Sequence, residues 1–336
     1  MADREFVFGR ADVQKLLRDH FVTVAADDWY QRRQNDAVGK FFRAVADQGP
    51  RKGAGGSTRQ GRYAFTASGK LLGFNNNRDP QRILRMLRES LADFKQLPAG
   101  ERMPGAVKVP PLQRSELERR FARTPPDGGL LVRVHSRVLD KDKEGGYAAC
   151  GKAGANQDSL RHNGFGASSD HLWIRAAEVQ SFLENVRNRR EGTALPPAIA
   201  TRIARYHLVD NTRGEPPHWG RDEIREFKLN AVPITGRPGA LRLSGTFHLE
   251  TEKGDRGYAG VMEGRLQYEA KSNKITRFDL LAIGDHWGEG RYTPGARPGK
   301  HPLGIAFTLG DPGKPQDRVP PQGIRWEQGY YEAEKH

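Results

Sequence analysis

The tripeptide His-Trp-Gly occurs twice, in Pro217-His218-Trp219-Gly220-Arg221 and in Asp285-His286-Trp287-Gly288-Glu289-Gly290-Arg291, each time with an arginine close behind. With five tryptophans and ten histidines in 336 residues, it is the strongest local anomaly of the chain. If the two loops meet, His218 and His286 can ligate a transition metal together with a carboxylate such as Asp285 or Glu289. The same loops suit an aromatic-walled ligand cleft framed by Trp219 and Trp287, because loops on a rigid scaffold carry binding residues. They equally suit packing, with each tryptophan plugging a sheet end and each histidine in a structural hydrogen bond. Asp210-Asn211-Thr212-Arg213-Gly214-Glu215-Pro216-Pro217 brings Asp210 and Arg213 to the same cleft, or forms a turn held by Asx hydrogen bonds.

A second group lies near the N-terminus. Asp27 and Asp28 are adjacent carboxylates that can share a proton or bind a cation, or cap a helix that starts there. Trp29 follows them. The loop Gly49-Pro50-Arg51-Lys52-Gly53-Ala54-Gly55-Gly56-Ser57-Thr58-Arg59 offers backbone N–H groups and the bases Arg51, Lys52 and Arg59 to an anion. It is not a nucleotide-binding P-loop, because Gly-Lys-Ser/Thr is missing and a hairpin, not a helix, follows. A flexible surface loop is the plainer alternative. Cys150 is the single cysteine, with His162 or His171 as conceivable bases. One thiol excludes an intramolecular disulfide, a CxxC redox pair and a cysteine zinc cluster. No Gly-x-Ser-x-Gly elbow, His-Glu-x-x-His helix or dinucleotide fingerprint is present. The motifs make no cofactor evident beyond the possible transition metal.

These residues need elements to position them. Apolar spacing predicts a helix over 10–20, a short buried strand over Phe21-Val22-Thr23-Val24-Ala25-Ala26, and a long helix from Asp27-Asp28 to about Asp47. Tyr63–Thr66 and Leu71–Phe74 read as a hairpin, and Asp79-Pro80 opens a helix running to about Gln96. Residues 99–129 form a proline-rich connector between a domain over 1–98 and one over 130–336. In the second domain Leu130–Leu139 is a strand, 140–169 is glycine-rich and irregular, and helices are expected over 175–188 and 197–206, giving a helical insert over about 140–206. From about 222 the period becomes two, predicting strands over 227–232, 240–249, 258–268, 274–283 and 301–309. That spacing indicates a mostly antiparallel sandwich or partial barrel.

The N-terminal order of helix, strand, helix, loop, hairpin and closing helix resembles the thioredoxin fold. The likeness is carried by Thr58-Arg59-Gln60-Gly61-Arg62-Tyr63-Ala64-Phe65 and Gly69-Lys70-Leu71-Leu72, which resemble the strand, Gly-Lys turn and strand before that fold's last helix. The family's CxxC position holds Asp27-Asp28-Trp29-Tyr30-Gln31-Arg32-Arg33, and Arg59 or Gln60 takes the cis-proline position. The whole chain resembles a group of bacterial proteins with a cysteine-poor thioredoxin-like N-terminus. The resemblance implies an α+β protein with a thioredoxin-like module that does no dithiol chemistry.

The net charge is +14, and half of it lies in residues 1–100, which carry 18 basic and 11 acidic side chains. Within 32–62 eight basic residues face only Asp36 and Asp47. This patch suits an anionic ligand or nucleic acid, or is a solvated face of a basic protein. No zinc-finger, RRM or KH signature accompanies it. No run approaches the ~18 apolar residues of a membrane span. The sequence as given shows no signal peptide, which leaves export with a trimmed leader, and so localisation, open. The leading expectation is a redox-inactive thioredoxin-like binding or scaffold protein, its partner an unidentified protein or anionic ligand. The alternatives are an enzyme, with or without a metal, at the His-Trp-Gly loops, and a nucleic-acid binder through 32–62.

Overall fold

The computed structural model describes residues 7–53, 57–77, 79–103, 124–150, 166–189 and 191–331. The chain divides into two compact units, Val7–Arg123 and a unit from Thr124 onward. Most of the proline-rich connector and residues 151–165, including His162, lie outside the described residues.

In the N-terminal unit, α1 spans Ala11–His20 and buries Val13. The strand expected over 21–26 does not form. Val22 is 96% and Val24 74% exposed. A strand needs a partner for its backbone, and the only sheet among the described residues of this unit is the hairpin β1 (Arg62–Phe65) with β2 (Leu71–Asn75), paired with itself. The long helix expected from Asp28 is two helices, α2 (Asp28–Gln31) and α3 (Ala37–Ala46). The break has a local cause: the Asp36 carboxylate accepts from Gly39 N at 3.0 Å, capping a fresh helix. Arg43 Nη1 donates to the Gln31 and Gln34 carbonyls and ties the turn to α3. Helix α4 (Pro80–Gln96) starts as expected, with Asp79 capping Gln81 N and Pro80 in its first turn. A short helix α5 (Ala99–Arg102) follows.

The C-terminal unit is built on one nine-stranded antiparallel sheet. Its strands are β3 (Leu130–Lys141), β4 (Tyr147–Ala149), β5 (Ala167–Ile174), β6 (Thr193–Ala194), β7 (Ile224–Pro233), β8 (Ala240–Glu250), β9 (Gly257–Glu269), β10 (Lys274–Trp287) and β11 (His301–Leu309). The order is β4-β3-β11-β10-β9-β8-β7-β6, with β5 also on β3. All five strands expected after 222 are present. The apolar face is continuous across the register: Val134, Phe307, Leu280, Leu243 and Ala231 form one row, all at most 2% exposed. Helices α6 (Ala176–Asn188) and α7 (Pro197–Arg202), the latter continued by a π-turn over Ile203–His207, cover this face.

The π-turn touches both β5 and β7, which are five strands apart. The sheet therefore curls round it and is not closed. The paired glycines Gly260 and Gly284 permit the curl: a Cβ on Gly284 would stand 2.0 Å from the Ala259 carbonyl oxygen. Strand β4 and the start of β5 are a correction to the irregular stretch expected over 140–169, and β5 as a whole to the helical insert expected over about 140–206. Buried Ser168, Asp170 and His171 hide its alternation.

Candidate functional site

The chain leaves the π-turn into the segment 208–223, which crosses one end of the sheet. Asp210, Asn211, Thr212 and Arg213 are buried in it, while Glu215, Arg221 and Asp222 are exposed. Asp210 accepts from Thr212 N at 3.0 Å, from Thr212 Oγ1 at 2.6 Å and from Arg213 Nε at 2.7 Å, the Asx arrangement the sequence allowed. Arg213 reaches further, donating from Nη1 to the Thr293 carbonyl at 2.5 Å and from Nη2 to the Gly288 carbonyl at 2.9 Å. Arg213 thus ties its own segment to the second His-Trp-Gly loop. Burial alone would raise the Asp210 carboxyl. Its coupling to His286 and Arg213 and the bonds from Thr212 outweigh that and hold it below the ordinary carboxylate range.

The two His-Trp-Gly loops do meet, on either side of the β8–β9 turn. Trp219 is 1% exposed and donates Nε1 to the Leu208 carbonyl at 2.7 Å. Trp287 donates Nε1 to the Gly254 carbonyl at 3.0 Å, and its ring lies against Gly257, where a Cβ would stand 2.1 Å from it. Each indole is covered by a cation: Arg256 is 4.0 Å from the Trp219 ring centre, and Lys300 Nζ is 4.1 Å from that of Trp287. Arg256 also donates to the Pro217 carbonyl at 2.9 Å. The packing role expected as one alternative for the tryptophans is therefore present in both.

Between the loops lies a recess of about 210 Å³, open mouth included, lined by Val209, Asp210, Arg213, Pro216, Trp219, Arg256, His286 and Thr293. Its enclosed part has room for about one water molecule. Burial pushes the His286 imidazole down to about 4, and Arg213, Arg256 and Arg297 add to that against the opposing pull of Asp210. The ring is neutral at neutral pH, and no hydrogen bond to a described residue is recorded for it.

The predicted metal set is not assembled. Asp285 and His286 are consecutive in β10, so their side chains leave opposite faces of the sheet. Asp285 pairs with Lys141 at 3.8 Å. His218 stacks on Tyr206, with ring centres 5.2 Å apart, while His286 lies near Tyr258. Among the described residues, no group of three His, Cys, Asp or Glu can hold a metal ion.

In the N-terminal unit, Asp27 is the cap of α2, accepting from Trp29 N at 2.9 Å. Asp28 accepts from Arg32 Nη1 at 3.0 Å and Arg59 N at 3.1 Å, pinning the glycine-rich loop to α2. Arg59 is 2% exposed, its guanidinium on Asp47 at 2.9 and 3.3 Å and on the Gly53 carbonyl. It is a structural arginine and not part of a surface patch. Arg32 and Arg43 are likewise engaged, and of the eight basic residues only Lys40 and Lys52 are exposed. Trp29 is 40% exposed with Arg33 3.8 Å from its ring centre, and Arg51 lies 6.0 Å from that of Phe74. Cys150 lies near Arg297, and burial pushes its thiol up, away from a reactive thiolate.

Arg256 and Thr293 escaped the sequence reading. Arg256 sits in a charged turn, Lys253-Gly254-Asp255-Arg256, that looks like any exposed hairpin tip. Only the pairing of β8 with β9 brings it to Trp219. No family model, curated protein or solved structure matches this chain.

Proposed function

We propose that this chain is a binding protein whose C-terminal unit recognises a small hydrogen-bonding group in the recess between the two His-Trp-Gly loops. His286 carries the reading. It is a neutral imidazole lining a recess among two guanidiniums and a threonine, so it can accept or donate one hydrogen bond to an entering group. The size of the recess limits that group to a hydroxyl, a carbonyl or one carboxylate oxygen of a larger ligand. A thioredoxin-like N-terminal scaffold without a redox role belongs to the proposal. Its support is the hairpin β1–β2 followed by α4 and the single cysteine; the unformed strand over 21–26 counts against it.

A second reading, an enzyme with His286 as general base, is favoured by the same neutral imidazole beside an ionised Asp210. Its metal-assisted form has less support, because Arg213 and Arg256 place two cations beside His286. Nucleic-acid binding through 32–62 keeps the support of charge alone.

Ligand-observed NMR with a library of small alcohols, amides and carboxylic acids tests the proposal. Binders of the wild type should be lost in His286→Phe, which fills the recess. Binders indifferent to that change, or none at all, would overturn it. Elemental analysis of the wild type beside His218→Ala/His286→Ala separates the metal reading: stoichiometric metal lost in the double variant restores it.

A further inference from the structure

The recess between the His-Trp-Gly loops has a chemical bias, visible in which of its polar groups are already engaged. Arg213 uses all three guanidinium nitrogens: Nε on Asp210, Nη1 on the Thr293 carbonyl and Nη2 on the Gly288 carbonyl. Asp210 accepts from Thr212 and Arg213. Thr293 Oγ1 accepts from Gly290 N at 2.9 Å. Arg256 differs. It lines the recess and is only 8% exposed. Among the described residues its guanidinium makes one hydrogen bond, from Nη1 to the Pro217 carbonyl. Glu223 stands 3.6 Å from Nη2, beyond hydrogen-bond length. A guanidinium carries five N–H donors, so most donors of this buried cation are uncommitted. Burial pulls Arg256 below the ordinary guanidinium value, and Glu223 and Asp255 oppose that only in part.

We propose that the group this recess takes is the carboxylate of a monoanionic organic acid, held by Arg256 together with His286. The inference rests on the recess reading above and narrows its ligand class. A hydroxyl or an amide carbonyl would leave the charge of the guanidinium unanswered. A carboxylate accepts on both oxygens and matches the planar fork of an arginine. One oxygen enters the enclosed part, which holds about one water molecule, and the other stays at the mouth. His286 supplies a ring N–H from its neutral form. The surrounding acids limit the ligand to one charge. Asp210 lines the recess, Glu223 is 3.6 Å from Arg256, and Glu289 is 3.9 Å from Arg213. A phosphate dianion would bring a second negative charge among these carboxylates, with Arg213 already committed to Asp210.

Saturation-transfer NMR of the full chain with benzoate, benzamide, benzyl alcohol and phenyl phosphate reads the selectivity. Benzoate should bind the wild type about tenfold more tightly than the amide and the alcohol, the margin of a charge-assisted over a neutral hydrogen bond. It should also bind more tightly than phenyl phosphate. His286→Phe should abolish benzoate binding. Arg256→Met should erase the preference over benzamide, and Arg256→Lys, which keeps the charge but not the fork, should retain part of it. The ranking of probes is measured on the wild type, so it decides the matter even where an Arg256 variant loses its fold. Amide or alcohol binding that equals benzoate binding and is lost in His286→Phe overturns the carboxylate and leaves the recess reading standing. Phenyl phosphate ahead of benzoate does the same, and so does a benzoate preference that survives Arg256→Met with an unaltered circular dichroism spectrum. No probe bound, or every probe indifferent to His286→Phe, overturns the recess reading and this inference together.

Discussion

Arg256 stands 4.0 Å from the centre of the Trp219 ring, at the junction where the β8–β9 turn meets the first His-Trp-Gly loop. Lys300 stands in the same relation to Trp287 in the second loop. The repeated tripeptide is thus a repeated packing device, a tryptophan fixed through Nε1 to a carbonyl and covered by a cation. What differs is depth. Trp219 is fully buried, and Trp287 keeps one edge towards solvent. Trp219→Ala should therefore cost about 3–5 kcal/mol of unfolding free energy, the range for a large buried aromatic, and Trp287→Ala clearly less. Urea unfolding of the two variants decides the order.

Arg213 is the tie between segment 208–223 and the second loop. Removing it leaves Asp210 buried without its cation, a loss of about 3–5 kcal/mol for a broken buried pair. Asp210→Asn/Arg213→Met should be less destabilised than Arg213→Ala, because no uncompensated charge remains. A double-mutant cycle by chemical denaturation measures the coupling. Equal costs for the two variants would show that the carbonyl contacts, not the ion pair, hold the loops.

Acid should weaken the C-terminal unit through two histidines. Burial holds His207 at about 3 and His286 at about 4 in the folded protein, against an unfolded value near 6.5. Below about pH 6.5 the unfolded chain takes up protons that the folded chain refuses. Stability is therefore complete above that pH and falls as pH drops towards 4, by about 1.4 kcal/mol per pH unit for each histidine. His286→Asn should remove close to half of the slope. Denaturant titrations at several pH values between 4 and 7 measure it, and His207 or His286 proton shifts that move near pH 6.5 in the folded protein would contradict it.

Arg59 and its neighbours Arg51 and Lys52 belong to one basic loop but should behave oppositely. Arg59 is internal, and its hydrogen bonds hold Asp47 below the ordinary carboxylate range. Arg59→Ala should lower the thermal midpoint of the N-terminal unit, while Arg51→Ala/Lys52→Ala should stay within about 0.5 kcal/mol of wild type. Differential scanning calorimetry of the three proteins shows the contrast.

Much of this architecture was legible along the chain, because it depends on neighbours in sequence. The caps at Asp27 and Asp79, the hairpin before α4, the helices of the insert and the five strands after 222 follow from periodicity and turn chemistry, and so does the exclusion of dithiol chemistry by one cysteine. The His-Trp-Gly repeat was visible as an anomaly with three possible meanings. Tertiary structure sends Asp285 and His286 to opposite faces through register alone and brings Arg256 from a remote turn onto Trp219. Tertiary structure also decided which charges are surface: Arg59, counted with the basic patch, is buried, as is Arg213, each drawn in by a carboxylate at short range. The segment 21–26 marks the limit in the other direction. Its residues specify a strand, but a strand is a relation between two stretches of backbone, and one stretch of sequence does not state where the second will be.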